Sequence, residues 1–212
     1  MNDVANIMES TFTNLRSIYR DVASIISTIE DGIIRRGFRA LGDNTVTWDN
    51  SGSTKGSDYW VPRWFCRAYT QGKDVSRQVG FCIHLGGYDG GYLSKLQHTF
   101  AKEPPLPLLS VSSMSVPAGA AFDNAIRDCY WDAGWGGTEQ TVTRNVATGK
   151  CNVRPGADAK YKTYFVDLCR LTSRAEVEKL VLTPMQALFE NAFEESFASL
   201  RPHLVEYRST DK

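Results

Sequence analysis

The sequence has no long apolar run and no excess of charge of either sign. Nowhere in its 212 residues do 18 or more apolar residues follow one another, as a membrane-spanning helix requires. The amino terminus lacks the basic segment followed by an apolar one that marks a secretory leader. Because 24 basic residues balance 24 acidic ones, the molecule has no overall field to attract nucleic acid or an acidic membrane surface. We expect a cytoplasmic protein with no membrane partner.

Paired cysteine motifs are also missing. The cysteines are odd in number and none has a C-x-x-C partner, which argues against a disulfide framework, a zinc ribbon and a thioredoxin-type redox motif. They are Cys66, Cys82, Cys129, Cys151 and Cys169. We expect reduced thiols, no metal and no cofactor.

Apolar residues recur with helical spacing at the start of the chain. From Val4 to Ile29 the positions of this seam are alternately four and three residues apart, with Thr11 as its polar member, and a second row at intervals of seven widens the seam to three positions in seven. This pattern predicts an amphipathic helix over residues 1–40 that lies on a broad core. It should end near Gly37 or Gly42, since glycine commonly follows a helix.

Residues 43–171 carry the period of two that is typical of strands. The pattern is clearest where Val79, Phe81 and Ile83 alternate with small or polar residues. Within this range we predict strands over residues 45–48, 59–69, 106–116 and 161–171, a short inserted helix over 119–132, and only a weak strand at 140–145 in the polar segment 138–160.

Two helix-start signals stand near the carboxy terminus. Ser173 and Glu176 have the spacing of a capping box, and Pro184, with a threonine before it, favours a second start or a kink. Apolar residues then recur with helical spacing as far as Leu200. We expect amphipathic helices over residues 173–201 that are broken near Pro184.

Together these elements predict a single α+β domain over residues 1–212. The composition, 42% hydrophobic and 23% charged, is that of a globular protein with a sizeable core. The order of helix, strands, short helix, strand and helix favours a mainly antiparallel sheet of about five strands, packed against long N- and C-terminal amphipathic helices.

One face of the second predicted strand alternates aromatic rings with guanidinium groups. Such a face can stack bases and hold phosphates, and we place His84 of the next strand on the same side of the sheet. The candidate ligand-binding residues are Tyr59, Arg63, Phe65, Arg67, Tyr69 and His84. The alternative is that a helix covers this face and the arginines reach its rim, and zero net charge favours that alternative.

A thiol, an imidazole and a carboxylate also occur where strands could bring them together. Cys82 and His84 share one face of a strand, and Asp167 or Cys169 could face them from another strand as an orienting group. Against this, cysteine is commonly a small buried hydrophobe and a strand histidine is usually structural. We therefore assign no catalytic residue.

Three functions from different classes follow. The leading prediction is a non-catalytic interaction or accessory subunit that acts through a homo-oligomeric or hetero-oligomeric interface, because the two helices and the aromatic sheet offer more apolar surface than one sheet face hides. The first alternative is a nucleotide- or nucleic-acid-binding module that uses the strand face of Tyr59, Arg63, Arg67 and Tyr69. The second is a hydrolase or transferase that uses Cys82, His84 or Asp167.

Overall fold

The structure is a computed structural model. It describes residues 2–41, 47–48, 64–73, 76–85, 107–115, 150–154, 157–192 and 199–205. The predicted short helix over 119–132 and the predicted strand over 140–145 lie outside these ranges.

The chain begins with helix α1, Asn2–Arg35, which is 34 residues long and therefore extends for about 51 Å. Its last turn tightens, since the amide of Gly37 donates to the carbonyl of Ile34 at 2.9 Å. Gly37 then takes a φ of +80°, a left-handed conformation that glycine adopts without the strain a β-carbon would cause. The helix consequently stops there, and the chain turns directly into the first strand.

Seven described strands form one sheet in which every neighbouring pair is antiparallel. The strands are β1 (Phe38–Ala40), β2 (Thr47–Trp48), β3 (Trp64–Gln71), β4 (Arg77–His84), β5 (Leu108–Ser115), β6 (Lys150–Arg154) and β7 (Ala157–Asp167). Their order is β1-β3-β4-β5-β7-β6, and β2 pairs with β3 beside β1. Five of them have five or more residues, so the predicted antiparallel sheet and the α+β class are confirmed.

The strand register decides which side chains share a face. Arg67 of β3 stands directly opposite Phe81 of β4, whereas His84 stands opposite Trp64. Directly opposed residues point to the same side of a sheet, and neighbours along a strand point to opposite sides. Arg67 therefore lies on the face of Phe81, and His84 lies on the other.

The Phe81 face carries the main apolar core and is covered by helices. We call it the helix-covered face. Across the four central strands its buried members are Tyr69, Val79, Phe81, Ile83, Leu109, Val111, Tyr164 and Val166. From α1 the buried contributions are Val22, Ile26, Ile29 and Ile33, which are spaced three or four residues apart along one side of the helix.

A second helical segment, residues 174–189, completes this cover. It consists of α2 (Arg174–Val177), a π-helical turn (Glu178–Leu182) and α3 (Thr183–Phe189). Ser173 caps its start, accepting a hydrogen bond from the Glu176 amide at 3.2 Å, as the capping-box pattern predicts.

The predicted long C-terminal helix over 173–201 is not confirmed, because the described helical segment has only 16 residues. Pro184 lies in the first turn of α3, directly after the π-helical turn, and the residue before it keeps helical dihedral angles. The segment ends where Asn191 adopts a positive φ of 59°. A helix cannot continue through a left-handed residue, which explains the early end.

The two helical segments touch at Gly32. A β-carbon there would overlap the end of the Leu182 side chain and lie 3.2 Å from its Cγ atom, so a larger residue at this position would force the leucine to move. One turn later Arg36 donates to the Glu178 carboxylate and to the Gly32 carbonyl oxygen. The carboxyl-terminal half of α1 is thus held by both the sheet and the second helical segment.

Candidate functional site

Three of the predicted ligand-binding residues lie beneath α1. The Nε atom of Arg67 is 2.6 Å from a carboxylate oxygen of Glu30, which α1 supplies, and the Tyr69 hydroxyl donates to the same oxygen at 3.4 Å. The guanidinium carbon of Arg67 lies 6.0 Å from the centre of the Tyr69 ring. Phe65 meets the ring of Tyr19, also on α1, edge to face at 6.1 Å. A base that stacked on these rings would have to displace the helix.

Burial sets the electrostatics of this cluster. The desolvation of Tyr69, with the neighbouring Glu30 carboxylate adding to it, raises the pKa of the phenol well above its usual value, so the ring stays neutral. The Arg67 side chain is only 9% exposed, and Glu30 provides its counter-charge. The cluster therefore attaches α1 to the sheet. Tyr59 and Arg63, the other two members of the predicted strand face, lie outside the described residues.

His84 lies on the opposite face of the sheet and is not brought together with Phe65, Arg67 and Tyr69. Its Nδ1 atom is 3.8 Å from the Cys82 sulfur, and its Nε2 atom is 3.2 Å from the Ser110 hydroxyl on β5. That hydroxyl in turn donates to the Cys82 carbonyl oxygen at 3.3 Å.

A single set of protons satisfies all three of these contacts. The Cys82 thiol donates to Nδ1, the Nε2–H group donates to Ser110, and Ser110 donates to the backbone. In this arrangement the serine accepts from the histidine, whereas a serine nucleophile must give its proton to the histidine that activates it. With these proton positions the three groups form a neutral hydrogen-bonded network.

Burial of this network fixes its charge state. Burial lowers the pKa of His84 well below its usual value, because an imidazolium ion is poorly solvated inside the protein. Cys82, His84 and Ser110 are each 1% exposed or less. Substrate cannot reach the thiol or the hydroxyl in this conformation.

Asp167, the predicted orienting group, has a different contact. Its carboxylate accepts a hydrogen bond from the Cys169 amide at 2.9 Å and so caps the short 3-10 helix Leu168–Arg170. In the sheet Asp167 stands opposite Leu108, and Leu108 stands between it and His84. Cys169 is exposed, and partial burial together with the Asp167 carboxylate raises the pKa of its thiol.

Sequence reasoning missed Ser110. The signal was present, because Ser110 and Ser112 alternate with Leu109 and Val111 along β5, which marks one apolar and one polar face. Both serines are buried on the His84 face. Among the residues that the structure describes, no three His, Cys, Asp or Glu side chains come close enough together to hold a metal ion.

The amino-terminal half of α1 has a different environment from the rest of the helix. From Asp3 to Ser17 every residue except Leu15 is exposed. Five large apolar side chains in this half are between 45% and 64% exposed, and we call them the exposed stripe: Val4, Ile7, Met8, Phe12 and Ile18. From Val22 onwards the same apolar seam is buried in the core.

No helix within the described ranges combines the length and the apolar character needed to cross a bilayer. Comparisons of the chain with protein-family models, with curated proteins and with solved structures find no match.

Proposed function

We propose that this protein is a non-catalytic interaction subunit that binds a protein partner through the exposed stripe of α1. The observation that carries the proposal is the change of environment along one helix. A single apolar seam is buried against the chain's own core from Val22, whereas between Val4 and Ile18 all of its members except Leu15 are exposed.

The exposed apolar area is large enough to hold a partner. Full burial of one such side chain contributes about 1.5–3 kcal/mol, so five that are roughly half exposed offer on the order of 5 kcal/mol before the entropy of association is counted. Scattered single apolar residues are normal on protein surfaces, but contiguous ones mark interaction sites. These five lie on one side of one helix.

The composition of this half also favours a partner. Residues 10–14, Ser-Thr-Phe-Thr-Asn, are weak helix formers, and the hydroxyls of Ser10 and Thr11 both donate to the Ile7 carbonyl oxygen. Such a segment gains most of its helical stability from packing, and the described residues of its own chain supply little packing here. A partner on the stripe would supply it.

The prediction of a cytoplasmic location is kept as part of this proposal. It rests on the odd and scattered cysteines, and Cys66, Cys82 and Cys169 are free thiols.

The test places a photo-crosslinking phenylalanine analogue at Phe12 of the full chain in living cells. The matched control has the same analogue at Ile34, which is as exposed as Phe12 (57% against 58%) but lies outside the stripe on the same helix. We expect a discrete cross-linked species from Phe12 that disappears when Met8→Ser and Ile18→Ser are added. The proposal is wrong if Phe12 yields no such species, or if both positions yield it equally.

A further inference from the structure

We propose that Cys66 and Cys82 are a modification site, at which a hydroperoxide converts two thiols into a reversible disulfide bond between strands β3 and β4. Both residues carry thiols in the structure, and both are buried. The site is independent of the exposed stripe, because it lies on the face of the sheet opposite to the one that α1 covers.

The register of the two strands brings the cysteines together. Cys66 stands directly opposite Cys82, and the pairing runs without a shift from Trp64 to Tyr69. Directly opposed residues point to the same side of a sheet, so both side chains lie on the face of His84.

The backbone hydrogen bonds show which kind of pair the cysteines make. The Leu41 amide donates to the Ala68 carbonyl oxygen at 2.9 Å, so the polar groups of Ala68 are directed toward β1 and away from β4. This direction alternates along a strand, so Cys66, two residues earlier, also turns its polar groups away from β4. Cys66 and Cys82 are therefore a non-hydrogen-bonded pair. In such pairs the α-carbons are about 4.5 Å apart, within the range of about 4.4–6.8 Å that disulfide bonds require.

The peroxide balances the oxidation. One thiol sulfur attacks an oxygen atom of the hydroperoxide and the O–O bond breaks, so that a sulfenic acid forms and water or an alcohol leaves with the thiol proton. The opposite thiol then attacks the sulfenic sulfur, an S–S bond forms, and the hydroxyl group leaves as water with the second thiol proton. The two sulfur atoms together lose two electrons, and the peroxide oxygens gain them.

The buried network favours the dithiol as the resting form. The Cys82 sulfur is 3.8 Å from Nδ1 of His84, and with the proton positions given above the thiol donates to that nitrogen. Oxidation removes this hydrogen atom and with it the hydrogen bond. The disulfide should therefore be easier to reduce than one without such a neighbour, and a thiol reductant should restore the dithiol.

Burial gives the site its selectivity. The two thiols are only 2% and 1% exposed, so a small oxidant reaches them only when the sheet opens locally. Once one sulfur has become a sulfenic acid, the thiol directly opposite is in position to trap it before a second peroxide arrives. The pair should consequently end as a disulfide rather than as a sulfinic acid.

The test treats the folded full chain with hydrogen peroxide for several times as long as the exposed Cys169 thiol needs to react. Remaining thiols are blocked with N-ethylmaleimide, and the chain is digested with trypsin without a reductant. Trypsin cuts after Arg63, Arg67 and Arg77, so the two cysteines leave in different peptides. Mass spectrometry should show these peptides joined with the loss of two hydrogen atoms, on the order of tenfold or more above any other cysteine pair. Dithiothreitol should separate them.

Two variants and an unfolded sample provide the comparison. Cys66→Ala should leave Cys82 without a disulfide, and Cys169→Ala is the matched control that should leave the joined peptides unchanged. In concentrated urea Cys66–Cys82, Cys129–Cys151 and Cys151–Cys169 should form within about twofold of one another, because similar lengths of chain separate them.

Three results would overturn the assignment. The first is a folded chain without the joined peptides after the full exposure. The second is a folded chain that favours this pair no more strongly than the chain in urea does. The third is a Cys66→Ala variant in which Cys82 pairs with another cysteine as readily as it pairs with Cys66 in the native sequence.

Discussion

Replacing His84 by glutamine tests whether the buried network is structural. The folded protein keeps His84 neutral because burial lowers its pKa, whereas the unfolded chain titrates near 6.5. Below pH 6.5 the unfolded state therefore binds a proton that the folded state does not. The free energy of unfolding of the native sequence should fall with pH by up to about 1.4 kcal/mol per unit from this group alone.

The magnitude follows from the same linkage. Because of this histidine, the free energy of unfolding should be about 2 kcal/mol lower at pH 5.0 than at pH 7.5. Glutamine keeps a polar side chain but cannot titrate, so His84→Gln removes this pH-dependent loss. The variant should be less stable at pH 7.5 by about 1–3 kcal/mol, because it disturbs buried hydrogen bonds to Ser110 and Cys82. The gap between the free energies of unfolding of the native sequence and the variant should then be about 2 kcal/mol narrower at pH 5.0 than at pH 7.5.

Urea denaturation followed by circular dichroism at pH 7.5, 6.5, 5.5 and 5.0 measures this gap. Ser110→Ala is the control, since it removes one hydrogen-bond partner but leaves the titrating ring, and its stability should fall with pH as that of the native sequence does. A gap that stays constant or widens at low pH would mean that folded His84 accepts a proton. The imidazole would then be accessible to water, and the predicted hydrolase or transferase would regain support.

Two further predictions concern the attachment of α1. Gly32→Ala should lower the free energy of unfolding by about 1 kcal/mol. Overpacking against Leu182 destabilises the protein by about 1–3 kcal/mol, and the higher helix propensity of alanine stabilises it by about 1 kcal/mol. With Leu182→Ala already present the same change should stabilise the protein, and a chemical-denaturation double-mutant cycle without coupling would contradict the close contact. Glu30→Gln should cost about 2 kcal/mol, less than the 3–5 of a fully buried pair because Glu30 is a quarter exposed. Adding Arg67→Met should recover part of that loss in the same assay, and simple additivity of the two changes would refute the pairing.

The parts of the fold that could be predicted from the sequence depend on local periodicity. The seam of α1 and the alternation of Val79, Phe81 and Ile83 are properties of one segment each. The structure places the alternating strand residues and the half of the seam from Val22 in the main core. Ser173 likewise caps a helix through a contact three residues away. Such signals need no knowledge of the rest of the chain.

The pairing of strands could not be predicted in the same way. Whether Arg67 shares a face with His84 depends on the register between β3 and β4, and a shift of one residue reverses the answer. The sequence prediction placed both on one side, and the register separates them. Polar strands are equally hard to recognise, so β6 and the beginning of β7 fell within the weakly patterned segment 138–160.

The end of the C-terminal helix was missed for a related reason. Apolar residues continue with helical spacing beyond Phe189, and this spacing predicted a helix as far as residue 201. The stop is a left-handed asparagine, Asn191, and asparagine tolerates that conformation without requiring it. A glycine at this position would have been a visible signal, as Gly37 was for α1.

The function of α1 depends on a distinction that periodicity alone cannot make. An apolar seam indicates that something covers the helix, but it does not say whether the cover belongs to the same chain. The structure resolves this for the half from Val22, where the chain's own sheet provides the cover. The seam continues without change of spacing to Val4, although the sheet no longer covers it. If packing against the described part of the chain were the only requirement on this helix, polar residues would suit the half before Val22 better than apolar ones. The stripe from Val4 to Ile18 is therefore the basis of our proposal that a partner provides a second cover, which the cross-linking experiment at Phe12 supports or rejects.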